Sequence, residues 1–149
     1  MGLITPILPM KQTQLEFKSE FLPEITVVVV FDDDPRYEQV KSYFDEYGYG
    51  FMVPGKNLII VDGEELLNGD DNSILKFIEA HEVSHILLNH SGPRNEKEEL
   101  EADLGAYVIL KHYGYKKPLE LLLTHFENRH GMEFDESMIP EISNKLGLG

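Results

Sequence analysis

The chain contains no cysteine in its 149 residues, which excludes disulfides and thiolate metal sites and fits a cytoplasmic setting. It is also short of cations. Thirteen Lys and Arg stand against 27 Asp and Glu, a formal net charge of −14. That balance argues against nucleic-acid backbones and anionic membranes as partners; it favours basic ones, and it equally serves solubility. Long apolar runs are missing too. The longest, residues 25–31, is strand-sized, far below the roughly 20 residues that a membrane helix needs, so no membrane span is expected. The start, Met1-Gly2-Leu3-Ile4-Thr5-Pro6, has no basic stretch and meets prolines at Pro6 and Pro9, so it does not read as a signal peptide. No internal repeat or low-complexity tract is visible.

What is present amounts to about one domain, residues 1–149, with enough chain for a sizeable core. Residues 24–31 are rich in β-branched side chains and read as a buried strand. Asp32-Asp33-Asp34-Pro35 ends that strand and predicts a helix with Asp34 as N-cap and Pro35 at the first helical position. The aspartate run resembles a calcium loop only superficially, because the glycine and the distal glutamate are absent. The helix carries Tyr37, Val40, Tyr43, Phe44 and Tyr47 and stops at Gly48. Phe51-Met52-Val53 and Leu58-Ile59-Ile60-Val61, joined by Pro54-Gly55-Lys56-Asn57, then predict a hairpin. Gly50 and Gly55-Lys56-Asn57 come within one residue of a phosphate-binding loop. A strand follows them, though, where phosphate binding needs a helix N-terminus.

The most informative stretch is His81-Glu82-Val83-Ser84-His85. Helical positions four apart differ by about 40° and lie one turn above the other, so both imidazoles can reach one metal ion. Glu82 lies about 100° round from His81, placed to reach a metal-bound water without ligating the metal. Two ligands plus a general base is the arrangement of a zinc hydrolase. The flanking sequence supplies the helix. Asp70-Asp71-Asn72-Ser73 offers N-caps, 74–80 contains no breaker, and Ser91-Gly92-Pro93 supplies a stop. Apolar residues occur nearly all round, which predicts a buried helix; buried histidines and a glutamate cost desolvation unless they bind a metal or one another.

A catalytic zinc usually takes a third protein ligand and keeps its fourth position for water. Asn95-Glu96-Lys97-Glu98 reads as a capping box opening the next helix, with Glu96, Glu98 and Glu99 in its first turn. Glu99 and Asp103 share a face, so one carboxylate can ligate zinc while the other accepts a ring N–H from a ligand histidine. Ala102, Gly105 and Ala106 are small enough for this helix to approach the first closely. The helix is expected to run to about His112, a second from Lys117-Pro118 to Gly131, and a last from about Pro140 to Leu146. His90, five residues after His85, falls on the wrong side of a continuing helix and reads as a surface or capping residue. His112, Tyr113, His125 and His130 are candidates for a donor that stabilises an oxyanion.

His81-Glu82-x-x-His85 followed by Glu99-x-Glu101-Ala102-Asp103 resembles the gluzincin metallopeptidases, most closely their small ImmA/IrrE-type and minigluzincin members. The resemblance covers roughly the central third of the chain, and Ser84 stands where the family has glycine. It implies a small α+β zincin-like domain, with a short, mostly antiparallel sheet packed on the motif helix and further helices C-terminal. It implies zinc held by His81, His85 and Glu99, with Glu101 the other candidate ligand, Asp103 behind a ligand histidine and Glu82 as catalytic base. The strand Leu58, Ile59, Ile60 and Val61 is expected to lie beside the cleft as an open edge for an extended peptide. The expected activity is hydrolysis of a protein or peptide substrate. The alternative is a zinc-binding regulatory module of the ImmA/IrrE type with weak or no proteolysis, and a purely structural metal site comes third, since such a site has no use for Glu82.

Overall fold

In a computed structural model that describes residues 14–53, 55–66, 72–90 and 95–148, the chain is α+β, with a mixed four-stranded sheet and six α-helices among the described residues. It falls into two compact units, residues 1–79 and 80–149. Asp70, Asp71, Pro54, the Ser91-Gly92-Pro93 stop and the N-terminal prolines lie outside the described residues.

The first unit holds the sheet. Its strands are β1 (Gln14–Lys18), β2 (Thr26–Val30), β3 (Gly50–Val53) and β4 (Leu58–Asp62), ordered β1-β2-β4-β3. β2 is antiparallel to β1 and parallel to β4, with Val27 opposite Ile59 and Val29 opposite Val61. Side chains alternate between faces with period two, so those four form one fully buried face. On the other face Val30 and Phe51 pack against Tyr37 and Phe44 of α1 (Tyr37–Tyr47). β3 and β4 form the expected hairpin, Val53 opposite Leu58.

Two expectations for this unit need correction. β4 is not an open edge: its backbone bonds to β2 on one side and β3 on the other, so Leu58, Ile59, Ile60 and Val61 have no ladder to offer a peptide. The parallel β2–β4 pairing spans an intervening helix and strand, and no local pattern announces it. Likewise α1 starts at Tyr37, not Pro35. Asp34 uses its carboxylate to accept from the Arg36 N–H at 2.8 Å and to pair with the Arg36 guanidinium at 2.9 Å, building a turn ahead of the helix. A short helix α2 (Gly63–Leu66) follows β4 directly; a Cβ on Gly63 would come within 2.6 Å of the Phe31 ring, so only glycine fits.

Helix α3 (Ser73–Leu87) crosses the boundary between the units and is buried almost all round, as its sequence predicts. In the first unit its polar positions form a closed network. Lys76 Nζ lies 2.9 Å from Glu79 Oε1 and 2.6 Å from Glu20 Oε1, and Ser19 donates to Glu79 Oε2 at 2.6 Å. Burial raises the Glu79 carboxyl above its usual range, and Lys76 and Ser19 offset only part of that rise.

The second unit is helical: α4 (Glu96–Tyr113), α5 (Lys116–His130) and α6 (Ile139–Leu146), with a 3₁₀ turn before α6. Asn95 caps α4 by accepting from the Glu98 N–H at 2.9 Å, half of the expected capping box. Gly114 and Gly131 end α4 and α5 in the left-handed conformation, where the sequence places the stops. α4 packs on α5 and α6, burying Leu104, Tyr107, Ile109, Leu122, Phe126 and Ile142. α4 meets α3 at Gly105, where a Cβ would stand 1.9 Å from Ser84 Oγ and 3.0 Å from Ser84 Cβ. No helix among the described residues is long and apolar enough to cross a membrane.

Two stability outcomes follow from these contacts. Lys76→Met should destabilise by about 3–5 kcal/mol, because it leaves Glu79 buried without its cation, and Lys76→Met with Glu79→Leu should recover most of the loss. Equal loss in single and double variants, read from urea melts, would show that the ion pair is not what matters there. Gly105→Ala should lower stability by roughly 1 kcal/mol, the overpacking of about 1–3 kcal/mol outweighing the gain of about 1 in helix propensity. In a Ser84→Gly background the same substitution should turn stabilising; additivity of the two changes would overturn the close-contact explanation.

Candidate metal centre

The second half of α3 and the start of α4 bring the centre together within the second unit. His81 and His85 stack one turn apart with their Nε2 atoms 3.2 Å from each other. Glu99, four residues into α4, turns its carboxylate to both: Oε1 is 3.2 Å from His81 Nε2 and Oε2 is 2.8 Å from His85 Nε2. His81, His85 and Glu99 thus form a group that can hold a metal ion, their donor atoms all within 4.8 Å of one another. A tetrahedral ion with bonds of about 2.0–2.1 Å sets its ligands roughly 3.3 Å apart. The two 3.2 Å separations lie close to that and the 2.8 Å one is shorter; two imidazoles and one carboxylate are donors that a divalent metal ion can take.

Behind His81 stands Asp103, whose Oδ1 accepts a hydrogen bond from His81 Nδ1 at 2.7 Å. This carboxylate is itself almost fully buried and accepts from two more donors on α5: Arg129 Nε at 2.7 Å and His130 Nε2 at 2.6 Å. Burial would raise its pKa, but the bonds from His130 and His81 and the Arg129 charge hold it well below the usual carboxylate range. Asp103 therefore stays anionic. Burial also opposes charging His81, yet the bonds to Asp103 and Glu99 outweigh it and push the ring up to about 9 while no cation is bound.

Glu82 is buried beside His81, and its charge is among those acting on that ring. Glu101, the other candidate ligand, points elsewhere: its Oε1 lies 2.8 Å from His90 Nε2 and its Oε2 3.9 Å from Lys145 Nζ. His90 is not on the far side of a helix. α3 ends at Leu87, Asn89 takes a left-handed φ of 63°, and the His90 N–H returns to the His85 carbonyl at 3.0 Å. This Schellman-type turn brings His90 Nδ1 within 2.9 Å of His85 Nδ1. The expectation failed because it extended the helix past its true end.

Among the candidate oxyanion donors, His112 and Tyr113 pack on each other at the exposed end of α4, and His125 is exposed. His130 does reach the centre, but through Asp103. Sequence reasoning missed Arg129, and no local signal could have found it, since it lies 26 residues from the aspartate it serves. No protein-family model, curated protein or solved structure matches the chain.

Titrated with zinc, the protein should take up one ion per chain. His81, pushed up to about 9, holds a proton at neutral pH that a metal must displace from Nε2, so affinity should fall as the pH drops below that value. Glu99→Ala should abolish tight binding, whereas Asp103→Ala should weaken it roughly 10–100-fold. Calorimetry in buffers of different ionisation heat counts the protons released, and uptake of zinc with none released would overturn this ligand set.

Proposed function

We propose that this chain is a zinc-dependent peptidase with a zincin-like fold, hydrolysing peptide bonds in a protein or peptide substrate. One observation carries the reading: Glu82, a buried carboxylate that makes no part of the His81–His85–Glu99 ligand group, sits next to its first ligand on the same helix. A structural metal site has no need of such a group, because it closes its fourth position with a fourth ligand. When bound, zinc supplies Lewis acidity, acidifying water and polarising a carbonyl.

The chain's own residues do the rest. Glu82 accepts the proton of the attacking water as its oxygen bonds the carbonyl carbon, then delivers that proton to the nitrogen as the carbon–nitrogen bond breaks. Asp103 fixes the orientation of His81 and raises its basicity, and Arg129 and His130 keep Asp103 anionic while it does so. Burial of His81, Glu82 and His85 lowers the local dielectric, which strengthens each of these interactions. The acidic surface favours substrates with Lys or Arg near the scissile bond.

A second reading, a zinc-binding regulatory module with weak or no proteolysis, gains from the interior position of β4, which removes the edge strand expected to bind peptide. Cleavage of a mixed peptide library separates the two. Zinc-loaded wild type should cut it, with a preference for basic sequences that weakens as salt rises. Glu82→Gln should keep zinc and fold and lose cleavage by at least about 100-fold, the scale of a general base. A library left intact by the zinc-loaded wild type would favour the regulatory module. Equal cutting by both proteins would sink the role given to Glu82.

A further inference from the structure

The histidine that the helical pattern sends away from the metal centre is tied directly to it. Three groups form a chain leading outward from His85: His85 Nδ1 to His90 Nδ1 at 2.9 Å, and His90 Nε2 to Glu101 Oε1 at 2.8 Å. A carboxylate only accepts, so a neutral His90 bonded to Glu101 must carry its proton on Nε2. Its Nδ1 is then an acceptor. The facing atom on His85 must donate, which puts the His85 proton on Nδ1 and leaves Nε2 as the metal-binding nitrogen. That nitrogen is the one turned toward Glu99 and His81.

We propose that His90 and Glu101 are positioning residues that lock His85 into its ligating tautomer and so set the metal affinity of the centre. The inference rests on the metal centre described above and assigns it a second supporting arm, separate from the Asp103 arm behind His81. The local fold is built for it. The turn at Asn89 swings His90 back onto His85, and Glu101 lies two residues beyond the ligand Glu99, so it leaves the same helix in another direction. Both rings are largely buried, where an imidazole held in the wrong tautomer would oppose its own nitrogen to the ion. The arm also gives Glu101 a partner and a purpose other than ligation.

The test uses zinc and cobalt(II) on the full chain. In a chelator competition, His90→Leu should weaken zinc binding roughly 10–100-fold, and Glu101→Leu should weaken it less. His90→Asn should stay close to wild type, because its amide oxygen falls near the position of Nδ1 and still accepts from His85. Cobalt-loaded wild type should show two strongly shifted ring N–H resonances protected from exchange, one from His81 and one from His85. His90→Leu should keep only the first. This spectrum on wild type needs no variant to fold: if only one protected N–H appears, the proposal is wrong. A folded His90→Leu that binds zinc as tightly as wild type would overturn it as well. Wild type that binds no metal would overturn it together with the centre itself, whereas wild type that binds metal and cleaves nothing would leave it standing and remove only the peptidase reading.

Discussion

A single buried helix carries five ionisable side chains, and the need to compensate each of them organises everything around it. Lys76, Glu79, His81, Glu82 and His85 all lie on α3, and all are buried. An ionised group taken out of water costs several kcal/mol unless a partner or a proton offsets it. α3 has apolar neighbours on nearly every side, so it cannot turn these groups to solvent. They must be met by one another or by other parts of the chain.

The two halves of the helix meet the demand differently. In the first unit Lys76 and Glu79 neutralise each other three residues apart, and Ser19 and Glu20 satisfy what remains. That solution is closed: every group faces a protein partner. In the second unit the partners stand behind the histidines rather than between them. Asp103 takes one ring from the rear, His90 takes the other, and the two Nε2 atoms converge on Glu99. An arrangement that orders the outer nitrogens and points the inner ones at one spot has the form of a cation site. Gly105 belongs to the same device, because its lack of a side chain relieves the close approach of α4 to Ser84 on α3.

Part of this was legible from spacing, which paired His81 with His85 and put Glu99 and Asp103 on one face; that Glu99 ligates while Asp103 stands behind was what the resemblance implied. His81, His85 and Glu99 come together as their helical positions require, Asp103 stands behind His81, and α4, α5 and α6 end close to where the glycines put them. Periodicity within one helix, and capping chemistry at its ends, are local properties that a sequence states openly. The failures share a cause as well. β4 became an interior strand through a parallel pairing across a crossover, and Arg129 joined Asp103 from another helix; neither relation leaves a local trace. His90 was misplaced for a subtler reason. Its position is local, but it depends on a left-handed Asn89 ending the helix after Leu87, and asparagine adopts that conformation readily without advertising it.

The charges of the centre are arranged around a group that can hold a metal ion. Asp103 is balanced by Arg129, and Glu101 faces Lys145. Glu82, buried, and Glu99, partly buried, lie next to the two imidazoles, whose outer nitrogens face Asp103 and His90. An ion held at the inner nitrogens would let each imidazole keep its proton on the side where Asp103 or His90 accepts it. The two rear arms are then unequal in a useful way. An anionic acceptor makes His81 the more basic donor, while the imidazole behind His85 fixes direction. With an ion in place, His81 would supply strength to the bond, and His85 would supply geometry.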